Sequence, residues 1–261
     1  MELHSSLDYS GKVVLVTGGT KGIGAGIALG FLAANARVIV CARREPEQLP
    51  SVGDKRATFI AADVRDADSL QRLFATIERD FGRLDVVINN AGGSPAADAA
   101  TASPRFHESI INLNLIAPFN VAQHANRLMQ AQVQGGCILF IGSISALRSS
   151  PGTAAYGAAK AGVLALVQSL AVEWGPKVRV VTVSPGLVLT EQAHLHYGTE
   201  AGIAAVAAGI PAARMAVAED IANACLYLAS PLASYASGCN LLLHGGGERP
   251  AFLGAAQVLP T

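Results

Sequence analysis

A chain of 261 residues can bury one sizeable α/β core and does not demand two domains. Its 51% apolar and 15% charged residues exclude a disordered or solvating chain. Nineteen basic residues balance nineteen acidic ones, so no overall field draws the protein to nucleic acid or an anionic membrane, and any phosphate has to be recognised locally.

Met1–Ser10 lacks a basic stretch followed by an apolar core, and no run reaches about 18 uninterrupted apolar residues. The expectation is a soluble, cytoplasmic protein with neither a nucleic-acid nor a membrane partner. Cys41, Cys137, Cys225 and Cys239 stand far apart in mostly apolar surroundings and form no CxxC pair, which reads as buried thiols. His194 and His196 have no acidic or thiol companions at ligand spacing, so no metal site is expected.

The first strand is expected at Lys12–Thr17 and the first helix near Ile23–Ala34. Between them Gly18, Thr20, Lys21, Gly22, Ile23 and Gly24 form a glycine-rich turn. Glycine reaches positive φ and lets backbone N–H groups approach a phosphate at a helix start, although the same composition serves an ordinary βα turn. Its spacing, three residues then one, differs from the GxGxxG fingerprint. A second strand, Arg37–Cys41, leads to Ala42-Arg43-Arg44. There a protein reading a free ribose 2′-hydroxyl would carry an acid. Arg43 suits a 2′-phosphate instead, with Lys21 as a second charge, and NADP(H) is favoured over NAD(H); the alternative is a solvated basic loop.

Further strands are expected at Thr58–Ala61, Val86–Asn89, Gly136–Ile141, Arg179–Val183 and Asn240–Leu243. Helices are expected near Ala67–Phe81, Pro104–Gln132, Ala155–Trp174 and Glu219–Ala229. This alternation predicts an α/β chain, one Rossmann-type domain over residues 1–261, with a doubly wound, seven-stranded parallel sheet and helices on both faces. Ligands of such sheets bind beyond the carboxyl ends of the strands. Tyr156 and Lys160 share one face of the helix after the fifth strand, and Ser143 follows that strand directly. A nearby ammonium favours a phenolate, so the pair can serve as a general acid/base, though a lone pair at this spacing is commonly a surface pair.

Joined to Asn89-Asn90-Ala91-Gly92, Asn114 and Ser184-Pro185-Gly186-Leu187-Val188-Leu189-Thr190, these pieces resemble the short-chain dehydrogenase/reductase family over about Lys12 to Gly247. The resemblance implies that Tyr156 moves the proton and that Lys160 lowers its pKa and holds the nicotinamide ribose. It implies that Ser143 binds the substrate oxygen and that Asn114 holds a relay water. Asp63 and Val64 would contact adenine, Asn90, Ala91 and Gly92 would line the cofactor, and Pro185, Gly186, Val188 and Thr190 would border it, the last two at the carboxamide. Asp63 could instead cap the next helix. The implied activity is hydride transfer between NADP(H) and a small-molecule carbonyl or alcohol. A carrier-bound 3-oxoacyl reductase is the alternative, and a non-catalytic cofactor-binding scaffold is the alternative of another class.

Family enoyl reductases space tyrosine and lysine differently. The family also implies a homo-oligomer, a tetramer or a dimer. Substrate choice is expected from Gly93–Arg105, Ile144–Thr153 and Glu191–Arg214. The last, residues 191–214, is the expected lid, with His194, His196 and Tyr197 as its distinctive groups. Arg148 and Arg214 are candidates to face an anionic substrate.

Overall fold

Short β-branched runs become the strands Val13–Thr17 (β1), Arg37–Ala42 (β2), Thr58–Ala61 (β5), Val86–Asn89 (β6), Gly136–Ile141 (β7), Val178–Pro185 (β8) and Asn240–Leu243 (β9). The computed structural model describes residues 7–191, 193–250 and 252, without the side chains of 195 and 196. All seven strands join one sheet in the order β5-β2-β1-β6-β7-β8-β9, and every pairing is parallel. A separate antiparallel ribbon, Ser51–Val52 (β3) with Lys55–Arg56 (β4), had no counterpart in the expected elements.

The period of two along each strand divides the core into two layers. Val14, Val16, Val38, Val40, Ile88 and Leu139 face the helices Gly22–Ala33 (α1) and Ala218–Ala229 (α8), meeting Ile27, Phe31, Ile221 and Leu228. Val13, Leu15, Ile39, Val87, Ile138 and Phe140 face the other way. Their partners come from Ala67–Phe81 (α2), Ala117–Ala131 (α4) and Ala154–Trp174 (α5), through Phe74, Val121, Val163 and Val167. Burial on both faces is why these strands read as continuous apolar runs rather than as alternating ones.

Among the described residues one helix, α5, is long and apolar enough to cross a membrane by length and composition alone, with a mean hydropathy of 1.4. Val163, Val167 and Leu170 bury its inner side in the second core layer. Asp66 caps α2, its carboxylate accepting from the Ser69 N–H at 2.6 Å, and Gly82 ends that helix at a φ of 69°. The cap is therefore not Asp63, which accepts from Arg65 instead.

The helix expected over Pro104–Gln132 is three segments. Pro104–Ile111 (α3) passes into a π-helical turn, Asn112–Ile116, before α4 begins. The local reason is Pro118. It has no N–H to give the carbonyl of Asn114 four residues earlier, so a regular turn cannot close there. The alanine-rich stretch Ala201–Ala213 contributes most of Glu200–Ala208 (α7), preceded by the single turn His194–Tyr197 (α6).

Cys41, Cys137, Cys225 and Cys239 are all free thiols. Burial pushes Cys41 up to about 12 and Cys137 up to about 11, which leaves both as inert small hydrophobes. Among the described residues no group of three or more His, Cys, Asp or Glu side chains gathers as a metal site. The side chain of His196 lies outside the described residues, as do residues 1–6 of the N-terminal segment.

Candidate active site

Parallel pairing brings the carboxyl ends of all seven strands to one edge, and the order reverses between β1 and β6. A cleft of about 690 Å³ opens there. It is lined by Gly18, Thr20, Lys21, Gly22, Ile23 and Gly24 after β1, Arg43 after β2, and Asp63 and Val64 after β5. Asn90, Ala91 and Gly92 follow β6, Ser143 follows β7, and Pro185, Gly186, Val188 and Thr190 continue β8. Tyr156 and Lys160 enter from α5. Asn114 does not line the cleft and is fully buried behind it.

The turn after β1 is held by its neighbours. Gly18 has a φ of 63°, a conformation that costs other residues strain, and its N–H donates to Cys41 O at 2.8 Å. Asn90 Nδ2 donates to Thr17 O at 3.0 Å and Gly18 O at 3.1 Å. The Thr17 hydroxyl in turn accepts from the N–H groups of Asn90 and Ala91. Gly24 lies against this lattice: a Cβ there would stand 2.3 Å from Gly18 O and 2.4 Å from Asn90 Nδ2. The absent side chain is what lets α1 start this close to the strand. Lys21 precedes α1 in an extended conformation and makes no side-chain cap, so the first-turn N–H groups remain available to an anion.

At the opposite rim Arg65 clasps Asp63 through two bonds, Nε to Oδ1 at 3.0 Å and Nη2 to Oδ2 at 2.7 Å. The Arg65 fork holds the Asp63 carboxyl below its usual range, and the charge of Arg43 adds to this. Arg43 and Lys21 are exposed. Sequence reasoning missed Arg65, which also lines the cleft.

Lys160 is 5% exposed, and its Nζ donates to Ile141 O at 2.7 Å. Burial pulls its pKa down to about 8. Its ammonium stands 5.6 Å from the centroid of the Tyr156 ring. Burial raises the Tyr156 phenol, and a hydrogen bond with Ser143 opposes that shift. Burial thus acts on the two groups with opposite sign, raising the phenol and lowering the ammonium. Ser143 Oγ also accepts from the Ser145 N–H at 3.1 Å, which orients the hydroxyl at the strand end.

Asn114 secures the loop opposite. Its Oδ1 accepts from Gly93 N–H at 2.8 Å, while Nδ2 donates to Gly93 O and Ile110 O, each at 2.9 Å. Both amide hydrogens are committed, and Oδ1 keeps a second acceptor position. Asn114 Oδ1 and Lys160 Nζ both flank Gly92, 2.7 and 3.5 Å from where its Cβ would be.

Beyond β8, Leu187 and Leu189 pair with Ala216 through bonds of 3.0 and 2.8 Å. Glu191 then reaches toward the turn, its carboxylate oxygens 3.7 and 3.9 Å from the Cβ position of Gly22. α7 has no buried residue. Of the two candidate arginines, Arg214 is bound to Asp220 at 2.6 and 2.9 Å and lines a small side cavity of about 170 Å³. Arg148 lines a cavity of about 310 Å³ that shares Gly186 with the main cleft. His244, directly after β9, and Glu248 line the same cavity and were not singled out from the sequence.

Residues 18–248 match a family model described as enoyl-(acyl carrier protein) reductase. The chain is 35% identical over 253 residues to D-threitol dehydrogenase of Mycolicibacterium smegmatis, covering 94% of this chain and 96% of the relative. It is 33% identical over 239 residues to the 3-oxoacyl-(acyl-carrier-protein) reductase of Haemophilus influenzae, covering 90% and 98%. Among solved structures, aldohexose dehydrogenase from Thermoplasma acidophilum superposes with a TM-score of 0.86 at 27% identity, covering 98% of each chain.

Proposed function

The chain belongs to the short-chain dehydrogenase/reductase family of NAD(P)-dependent oxidoreductases acting on alcohols and ketones, and from that premise we propose an NADP-preferring enzyme that interconverts a ketone and a secondary alcohol. The observation that carries this reading is the convergence of Ser143, Tyr156 and Lys160 on the cleft that the glycine turn opens into. A bound nicotinamide dinucleotide supplies or accepts the hydride, and the fit rests on the uncapped first turn of α1 together with the cationic rim.

The protein's part is placement and a proton. Tyr156, whose phenol burial raises, gives its proton to the carbonyl oxygen during reduction and takes it back during oxidation. Ser143 holds the same oxygen and steadies the charge that develops there. Lys160 holds the nicotinamide ribose, and Asn114 keeps a relay water on the spare acceptor position of its Oδ1. Val188 and Thr190 would hold the carboxamide, and Asp63 and Val64 would hold adenine. Residues 191–214 form the lid of this single domain. Glu191 lies beside the Gly22 turn, where its charge would meet a bound phosphate, and the buried Ala193 and Ile210 anchor the segment on either side of α7.

NADP is favoured because Arg43 and Lys21 offer exposed cations while Arg65 neutralises Asp63, the carboxylate that would otherwise repel a 2′-phosphate. Replacing Arg43 with Ala should raise the KM for NADPH about tenfold and leave that for NADH nearly unchanged, the small size reflecting solvent screening of exposed charges. Steady-state kinetics with both cofactors decides it, and equal wild-type rates with NADH and NADPH would sink it. A turnover screen of ketones and alcohols with both cofactors tests the reaction itself. The relatives' own substrates, a tetritol in one and carrier-bound acyl groups in another, leave the 3-oxoacyl alternative inside that screen. The spacing of Tyr156 and Lys160 speaks against enoyl reduction, despite the description of the matching family model.

The outer side of α5 presents Ala158, Ala161, Ala165 and Val172 to solvent, a row of small residues suited to close contact with a second copy. A homodimer or tetramer in the cytoplasm is the proposed form. Light scattering at micromolar concentration should give a mass of two or four chains, and a monomer would remove the proposal.

A further inference from the structure

The side cavity next to the catalytic residues has a mixed, charge-compensated wall. Ile144, which follows Ser143 in the chain, and Leu187 and Ile210 supply its apolar part, and Arg148, His244 and Glu248 its polar part. Arg148 Nη2 donates to Glu248 Oε1 at 2.7 Å, and Nη1 donates to Ser149 O at 2.9 Å. The guanidinium retains further N–H donors, and the carboxylate retains acceptor positions on both oxygens. Tyr197, which lines the main cleft, is close enough to feel both charges: burial raises its phenol, Arg148 lowers it and Glu248 raises it.

Three substrate classes fit this wall badly. A carboxylate or phosphate would find Arg148 already compensated and would meet the Glu248 charge. A steroid or long acyl chain would have to strip water from an ion pair without replacing its hydrogen bonds. The volume, about 310 Å³, is at the small end of ligand pockets.

A donor and an acceptor side by side suit neighbouring hydroxyl groups, each of which gives one hydrogen bond and takes another. Building on the oxidoreductase reading above, we propose that the substrate is a small, neutral, polyhydroxylated alcohol or its ketone, and that Arg148 and Glu248 select it by binding the hydroxyls next to the reacting carbon. His244 completes the polar wall. The pair also explains why the cavity needs the segment after β9: Glu248 ties that segment across to the loop after β7.

The test compares a five-carbon alditol, 2-pentanol and 3-hydroxypentanoate as substrates of the wild type, Glu248→Gln and Arg148→Gln, with melting curves to verify folding. Arg148 and Glu248 side chains are 36% and 43% exposed, so neither replacement opens the core. In the wild type kcat/KM for the alditol should exceed that for 2-pentanol by roughly 100-fold or more, because a site built for hydroxyls rejects an analogue without them. Each variant should reduce that ratio by at least about tenfold. A wild type that favours 2-pentanol or the hydroxy acid overturns the proposal, as does a ratio unmoved by both variants. Turnover of none of the three would instead count against the oxidoreductase reading. Calorimetric titration of alditol into the NADP-saturated protein still judges the pair in that case: binding weakened in Glu248→Gln upholds it, and equal or undetectable binding in both proteins overturns it.

Discussion

Replacing Tyr156 with Phe should lower kcat about a thousandfold or more while leaving the Kd for NADPH within a few-fold of the wild type. The change deletes one oxygen from a side chain on α5 and keeps the ring that packs beside Lys160. A positioned general acid contributes roughly 10² to 10⁴ in rate, and in the proposed mechanism Tyr156 is also half of the pair that stabilises the developing alkoxide, so the loss belongs toward the upper end. Ser143→Ala should cost less than Tyr156→Phe, because the role proposed for Ser143 is to hold the oxygen without moving a proton. Single-turnover reduction measured beside fluorescence titration of NADPH separates the two quantities. A Phe variant that still reduces ketones at more than a tenth of the wild-type rate is incompatible with the assigned proton donor.

How far the site was legible depended on whether its geometry is local. Gly18 to Gly24 occupy one strand–turn–helix connection, and Tyr156 and Lys160 sit four apart on one helix, so residue spacing alone puts them on the same edge. The strands were readable for a related reason: burial on both faces makes runs such as Val13–Thr17 almost purely apolar. Arg65, Glu191 and Glu248 were not readable, because each reaches the cleft or its side cavity only through tertiary placement of a segment without periodicity.

His244 is a different case. It follows the last strand directly, so its place just beyond a strand's carboxyl end was legible from the sequence. The break at Asn114 was also within reach of the sequence, since Pro118 stands four residues later and forbids the regular bond. Apolar periodicity continues across that break, which is why one long helix was expected. The ribbon β3–β4 carries only exposed residues, so it has no buried face to leave a pattern.

Lys160 should display the opposing demands of stability and function in a single residue. Its pKa is about 8 in the folded protein against a reference of 10.5, so the unfolded chain binds more protons between those values. Stability therefore rises with pH through that window, and at pH 7 the whole penalty, about 3 kcal/mol, weighs on the folded state. Lys160→Met removes the buried charge and keeps the length of the side chain, at the loss of the bond to Ile141 O, worth about 1 to 2 kcal/mol. The variant without cofactor should melt about 2 to 4 °C above the wild type at pH 7, and the gap should shrink and reverse by pH 10.5, where the wild type no longer carries the charge but keeps its hydrogen bond. Turnover should meanwhile fall at least about a hundredfold at both pH values, since the proposed mechanism gives Lys160 the task of holding the ribose and adjusting Tyr156. Calorimetric melting of both proteins across pH 7 to 10.5 reads the first effect, and kcat the second. A variant that melts below the wild type by the same margin at every pH would mean that Lys160 is held for packing, and that burying its charge is not a cost the site bears for catalysis.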